Sequence, residues 1–157
     1  MKERTIECKV TVCSIDELDA EAQSLIHTAT EATANSYAPY SRFRVGAALR
    51  LDDGTVLKGA NQENASFPVT ICGERTAIFA AHAQYPDRVI EAIAITAVND
   101  GGLVATPVTP CGACRQAMLE TEMRQKKPLT IYLYGGNGVY VINGIRNLLP
   151  LAFDEVS

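Results

Sequence analysis

Apolar residues recur at helical spacing early in the chain, at Leu18, Ala22, Leu25, Ile26 and Ala29, directly after Ser14-Ile15-Asp16-Glu17. That tetrapeptide has the form of a capping box, in which Ser14 accepts from the Glu17 N–H while Glu17 reaches back, so a helix is predicted from about 15 to 34. The period then changes. Phe43, Val45, Ala47, Leu49 and Leu51 alternate with mostly polar neighbours, and Asp53-Gly54 leads into Val56-Leu57, the signature of an antiparallel hairpin. Farther on, 76–81 reads as a buried helix, Val89-Ile90 with 92–95 as a buried strand, and 129–133 as another strand. Thr109-Pro110 reads as N-cap and first residue of a further helix. Cys8 alternates with Ile6 and Val10 as a buried strand thiol, and Cys13, next to the Ser14 cap, staples onto Leu18. Helices interleaved with strands after an opening hairpin predict a mixed sheet sandwiched by helices. Neither a repeat nor a Pro/Gly/Ser-rich linker divides the chain, which is expected to form a single domain over residues 1–157.

Composition narrows the function classes. With 47% hydrophobic residues in 157, the chain can bury one sizeable core. Lys+Arg number 14 against 18 Asp+Glu, a net charge of −4, so nothing draws it onto phosphate backbones or anionic lipid. The N-terminal Met1-Lys2-Glu3-Arg4 carries mixed charge and runs into no apolar segment, and no stretch approaches the roughly 20 apolar residues of a membrane helix. A soluble, cytoplasmic protein with neither nucleic-acid nor membrane partners is expected. Five cysteines is an odd count, and without export they are free thiols or metal ligands rather than a disulfide framework.

Pro110-Cys111-Gly112-Ala113-Cys114 sets two thiols three residues apart at the predicted start of a helix, where they share a face and the unsatisfied N–H groups favour thiolate. Alone, such a pair fits a redox dithiol, a structural zinc site or a catalytic one. Cys72-Gly73-Glu74-Arg75 adds a third thiol, a carboxylate two residues on, and a guanidinium to moderate the net negative charge of three thiolates around a dication. Three protein ligands leave one zinc position open for a water whose pKa falls towards about 7, with Glu74 as its proton carrier. A closed structural site would instead need a fourth ligand, for which Cys8, Cys13, His27 and His82 are the candidates. The two histidines otherwise fall within helical patterns, away from these motifs.

Taken with Ser36-Tyr37-Ala38-Pro39-Tyr40-Ser41-Arg42-Phe43-Arg44-Val45-Gly46-Ala47-Ala48 and Asn61-Gln62-Glu63-Asn64-Ala65-Ser66, these cysteine motifs closely resemble the cytidine deaminases, in order and spacing, from about Tyr37 to Phe153. The resemblance implies an α/β fold, a three-layer α-β-α sandwich with a mixed, roughly five-stranded sheet. It implies one Zn²⁺ per subunit on Cys72, Cys111 and Cys114, and hydrolytic deamination of cytidine and 2′-deoxycytidine in pyrimidine salvage, with Glu74 catalytic and Arg75 beside the ligands. By the same resemblance Asn61 and Glu63 bind the ribose hydroxyls, Phe43 packs near the pyrimidine, and the Gly73 backbone lies near the substrate amino group. Its short length resembles a homotetrameric branch in which Ala65 and the C-terminal Phe153 reach a neighbouring subunit's site. Two positions depart from the family pattern. Gly73 stands where alanine is usual, which is expected to loosen the wall near the amino group, and Phe67 stands where tyrosine is common, so a hydroxyl contact towards the ribose 5′ side is absent. Another cytosine nucleoside, such as blasticidin S, is the alternative substrate.

Overall fold

In the computed structural model, residues 1–155 of the chain are described. The strands are β1 (Thr11–Cys13), β2 (Arg44–Leu51), β3 (Val56–Ala60), β4 (Ile90–Asn99), β5 (Gly102–Leu103), β6 (Thr130–Gly135) and β7 (Gly138–Asn143); the helices are α1 (Ala20–Ala32), α2 (Gly73–Gln84) and α3 (Gly112–Gln125). They form one mixed sheet in the order β1-β7-β6-β4-β2-β3, with β5 on β4. β4 and β6 run parallel, as they must when α3 carries the chain between them, and every other paired strand is antiparallel.

The period-two alternation of β2 assigns the two faces. Ala47, Leu49 and Leu51 join Ile93, Ile95, Ile131 and Leu133 beneath Ala77, Ile78 and Ala81 of α2 and Met118 and Leu119 of α3. Ala48 turns the other way, with Ala92, Ala94 and Val139, under Leu25, Ile26 and Ala29 of α1. The sandwich is as expected, but the sheet has seven strands. β1 and β5 are three and two residues long, too short for alternation to register, and β7 follows β6 across a two-residue turn. Two glycines set how closely α2 lies on the sheet. A Cβ on Gly59 would stand 2.3 Å from the Gly73 carbonyl, so no larger residue in β3 admits the first turn of α2 at this distance.

Several local expectations shift. Ser14 and Glu17 cap only a single 3₁₀ turn, Ile15–Glu17: the Glu17 carboxylate accepts from the Ser14 N–H (2.7 Å) and hydroxyl (3.1 Å), while the Glu17 N–H donates to the Ser14 carbonyl. Leu18 is extended, and α1 starts anew from Asp19, whose carboxylate accepts from the Ala22 N–H at 2.8 Å. Cys8 is exposed and precedes the first strand, because residues 1–10 have no ladder partner to bury them. Cys13 and Leu18 both pack against the cluster under α1, with the Cys13 sulfur 4.0 Å from the Val139 carbonyl of β7. The last helix begins two residues later than Thr109-Pro110 suggests, with Cys111 as its extended N-cap. Among the described residues no helix is long and apolar enough to cross a membrane.

Candidate metal centre and active site

Two helix starts converge. Cys72 is the N-cap of α2 and Cys111 the N-cap of α3, while Cys114 sits one turn into α3, so three sulfurs gather where backbone N–H groups lack partners. Their Sγ atoms all lie within 4.8 Å of one another, with Cys72 to Cys111 at 3.7 Å and Cys111 to Cys114 at 3.5 Å. Tetrahedral zinc with Zn–S bonds of about 2.3 Å separates neighbouring sulfurs by roughly 3.8 Å, so the trio fits that ion. No other His, Cys, Asp or Glu of the described residues completes this group. His82 faces Thr121 instead (3.1 Å), and Cys13 lies by β7, so the closed four-ligand alternative has no fourth ligand.

Charge follows the same logic. The Cys72 thiol is pulled down to about 5, first by the Cys114 thiol and then by the Arg75 guanidinium, whose Nη2 lies 3.8 Å from the Cys72 sulfur. Cys114 is pushed up, because it gives its hydrogen bond to Cys72 and is buried. A dication bound here would favour the thiolate form of its ligands. Arg75 Nε is buried without a hydrogen-bond partner among the described residues.

Beside the sulfurs opens a cavity of about 290 Å³, lined by Ser41, Phe43, Asn61, Cys72, Glu74 and Cys111, among others. Glu74 lies in the first turn of α2, only 5% exposed, and burial lifts its carboxyl above the ordinary range, so a proton is retained there more readily than in water. A larger groove, about 500 Å³, runs between α2 and α3 past Arg75, Phe79 and His82, but none of the three sulfur residues lines it.

The far wall is loop rather than helix. Asn61, 8% exposed, binds three ways: its Oδ1 accepts from the Val45 N–H (2.8 Å) and the Ser36 hydroxyl, and its Nδ2 donates to the Phe43 carbonyl (2.9 Å). Glu63 accepts from the Tyr40 N–H (2.8 Å), the Ser41 N–H (3.3 Å) and the Ser41 hydroxyl. Those contacts, the Ser41 hydroxyl foremost, hold its carboxyl below the usual range. Glu63 is turned onto the 40–41 turn and is absent from the cavity wall. The missing methyl of Gly73 is space between α2 and the sheet, since a Cβ there would meet the Val45 carbonyl at 3.1 Å and Asn61 N at 3.3 Å. Ala65 is exposed, and Phe67 is 71% exposed with its ring edge-on to Tyr40. Phe153 is also 71% exposed, its carbonyl held by Gln116 Nε2 at 2.7 Å. Sequence reasoning overlooked Ser36, Ser41, Thr70, Val108 and Thr109. Ser41 carried a usable signal, a hydroxyl two residues before Phe43, where an ST-turn ends a loop.

Comparison with known proteins agrees with this geometry. Residues 19–127 match the family model of the cytidine and deoxycytidylate deaminase zinc-binding region. The cytidine deaminase of Halalkalibacterium halodurans is 44% identical over 133 residues, 85% of this chain and 94% of that one. That of Mycobacterium tuberculosis is 36% identical over 140 residues, 86% and 91% of the two chains. Among solved structures, the cytidine deaminase from Burkholderia pseudomallei superposes with a TM-score of 0.71 at 42% identity, covering 83% of this chain and 97% of that one. Three cysteines spaced for zinc beside a buried glutamate, on a sheet and helices that these proteins share, have one reading: the chain belongs to the zinc-binding cytidine and deoxycytidylate deaminase family.

Proposed function

We propose that the protein hydrolyses cytidine and 2′-deoxycytidine to uridine and 2′-deoxyuridine with release of ammonia, serving pyrimidine salvage. The observation that carries this reading is the buried Glu74 carboxyl sharing one cavity wall with Cys72 and Cys111 of the cysteine trio and with Phe43 and Asn61. Zinc on Cys72, Cys111 and Cys114 supplies Lewis acidity that makes water a nucleophile at neutral pH. Glu74 does the proton work: its Oε accepts a proton from the attacking water and delivers it to ring N3 so that C4 takes the nucleophile, then takes the remaining proton of the hydroxyl now on C4 and gives it to the departing amine. Phe43 offers an apolar face to the pyrimidine, Asn61 a polar group to the ribose, and Arg75 tempers the charge of the sulfurs.

Ammonia release from cytidine by zinc-loaded protein tests this, with Glu74→Gln expected to lower kcat by about 10²- to 10⁴-fold while zinc content holds. Full turnover by the variant would remove Glu74 from the chemistry. No turnover of cytidine or deoxycytidine, with turnover of blasticidin S, would move the substrate to that nucleoside.

A homotetramer with shared active sites belongs to the same proposal. Its support is the exposure of Phe67, Phe153 and Leu151, large apolar side chains near segments assigned to a neighbour's site. Light scattering should return a mass of four chains; a 16.9 kDa particle would exclude Ala65 and Phe153 from any site. A cytoplasmic location is part of the proposal too, since reducing conditions keep the three ligating thiols available.

A further inference from the structure

Residues 5–10 alternate between apolar and polar side chains and lead into β1, an end strand of the sheet. They precede residues 19–127, the region of the family match, which assigns them no role. Two contacts fix which way their backbone faces. The Lys9 N–H donates to Asn147 Oδ1, just past β7, at 2.8 Å, and the Cys13 carbonyl oxygen lies 2.7 Å from where a Cβ on Gly138 would stand, at the start of β7. Extended backbone turns alternate residues to opposite edges, so 9, 11 and 13 face β7 while Cys8, Val10 and Val12 face away from it. No turn or bend interrupts residues 1–10, and among the described residues no strand occupies that outer edge.

Exposed strand edges are commonly blunted by charges, proline or a bulge. Here the charges are ordered so that the edge complements itself. A second copy running antiparallel, with the two-fold axis at Cys8, sets Glu7 opposite Lys9, Ile6 opposite Val10 and Thr5 opposite Thr11, each pair occurring twice. Neighbouring registers lose this match. An axis at Glu7 or at Lys9 puts like charges face to face, one at Ile6 sets Val10 against Lys2, and one at Val10 leaves both charges without an opposite partner. The backbone direction selects the same register independently. Ile6, Cys8 and Val10 turn outward and exchange the ladder hydrogen bonds, while Glu7 and Lys9 fall at the non-bonded positions, where facing side chains are closest. Side-chain faces agree as well: Val12 lies across from Tyr140, and Thr11 and Cys13 across from Val141 and Val139, so exposed Ile6, Val10 and Val12 share one apolar stripe with Cys8, and Glu7 and Lys9 share the other face. We propose that residues 5–11 are a self-docking strand, pairing antiparallel with the same residues of a second copy so that one sheet runs from β3 of one chain to β3 of the other. In the four-chain assembly proposed above this contact occupies one two-fold axis, at the sheet edge opposite the one that leads to Ala65.

Cys8 is the reporter for the test. In this register the two Cys8 Cα atoms stand about 5.5 Å apart, inside the disulfide range of roughly 4.4–6.8 Å. Zinc-loaded, full-length protein would be treated with diamide, whose azo bond takes both thiol hydrogens and becomes a hydrazine as the sulfur–sulfur bond forms. The two-chain band is then followed on a non-reducing denaturing gel. Wild type should cross-link, and Cys8→Ser should not. Glu7→Lys or Lys9→Glu alone turns two attractions into two repulsions and should slow cross-linking by roughly 5- to 50-fold, whereas Glu7→Lys combined with Lys9→Glu should restore the wild-type rate. Both positions are exposed and outside the core, so melts of these variants should match wild type. A combined variant no faster than either single one, or a band that survives Cys8→Ser, would overturn the proposal. The band reports pairing whether two chains assemble or four, and it needs no turnover, so its absence would leave the deamination reading intact.

Discussion

The sulfur end of the cavity and its loop end are built by opposite means. Cys72, Glu74, Cys111 and Cys114 sit on the first turns of two helices that a shared apolar core presses onto the sheet, so their positions follow from packing. Ser41, Phe43 and Asn61 belong to segments outside the helices and strands, between 36 and 43 and between 61 and 72, held by side-chain to backbone bonds. The sulfurs and the Glu74 carboxyl are thus placed by regular structure. The opposite wall is left to loops, whose side chains can change without moving the sulfurs.

Removing a ligand tests the packed end most severely. Cys114→Ala should take zinc from about one ion per chain to a small fraction, measured by metal analysis after dialysis, and abolish turnover with much of the fold retained. Full occupancy in that variant would show that this end does not depend on its third sulfur. At the loop end, Asn61→Ala deletes three bonds and strands the Val45 N–H and Phe43 carbonyl. A loss of about 2–3 kcal/mol in a denaturant titration is expected, with KM raised more than kcat is lowered and zinc kept. A fall in zinc content would mean the two ends are mechanically one.

The division between them was also a division in legibility. Cysteine spacing, the Glu74 position and the period-two run from Phe43 to Leu51 are local patterns, and the structure keeps each where the sequence puts it. The polar contacts of the loops join residues 16 to 25 positions apart through particular lone pairs, which no periodicity encodes. The same limit hid β1 and β5, where pairing with a distant strand rather than alternation makes the element. Cys8 failed for the opposite reason: alternation was present, but the segment finds no strand to pair with.

Smaller effects sharpen the picture of the packed end. His82 joins α2 to α3 through Thr121, and burial, aided by Arg124, lowers its pKa from 6.5. Arg75, Glu120 and Arg124 face it in one groove, and Asp87 and Arg88 in the next. Because the folded state binds the proton less readily than the unfolded one, stability should decline as pH falls below about 6.5, and His82→Gln should flatten that slope in melts between pH 7 and 5.5. An unchanged slope would mean this contact does not hold the ligand-bearing helices together. At the other end of α3, Lys126 is a left-handed C-cap (φ +54°), so Lys126→Gly should stabilise the fold by up to about 1 kcal/mol, read as a small rise in Tm. A fall would assign Lys126 a contact that outweighs its backbone strain.

Cys72 and Cys111 are 39 positions apart, and the chain between them holds α2, β4 and β5. An ion bound across them is therefore a crosslink as well as a reagent. It ties off a segment whose closure from the unfolded state costs on the order of (3/2)RT ln n in chain entropy, so a loaded chain has fewer open states to visit. Two of its three ligands come from a single turn of α3, so that helix can capture the metal early, with the arrival of Cys72 completing the loop. The metal then adds stability to a fold that the apolar core already holds, so loading should register as a rise in Tm rather than as a condition for folding.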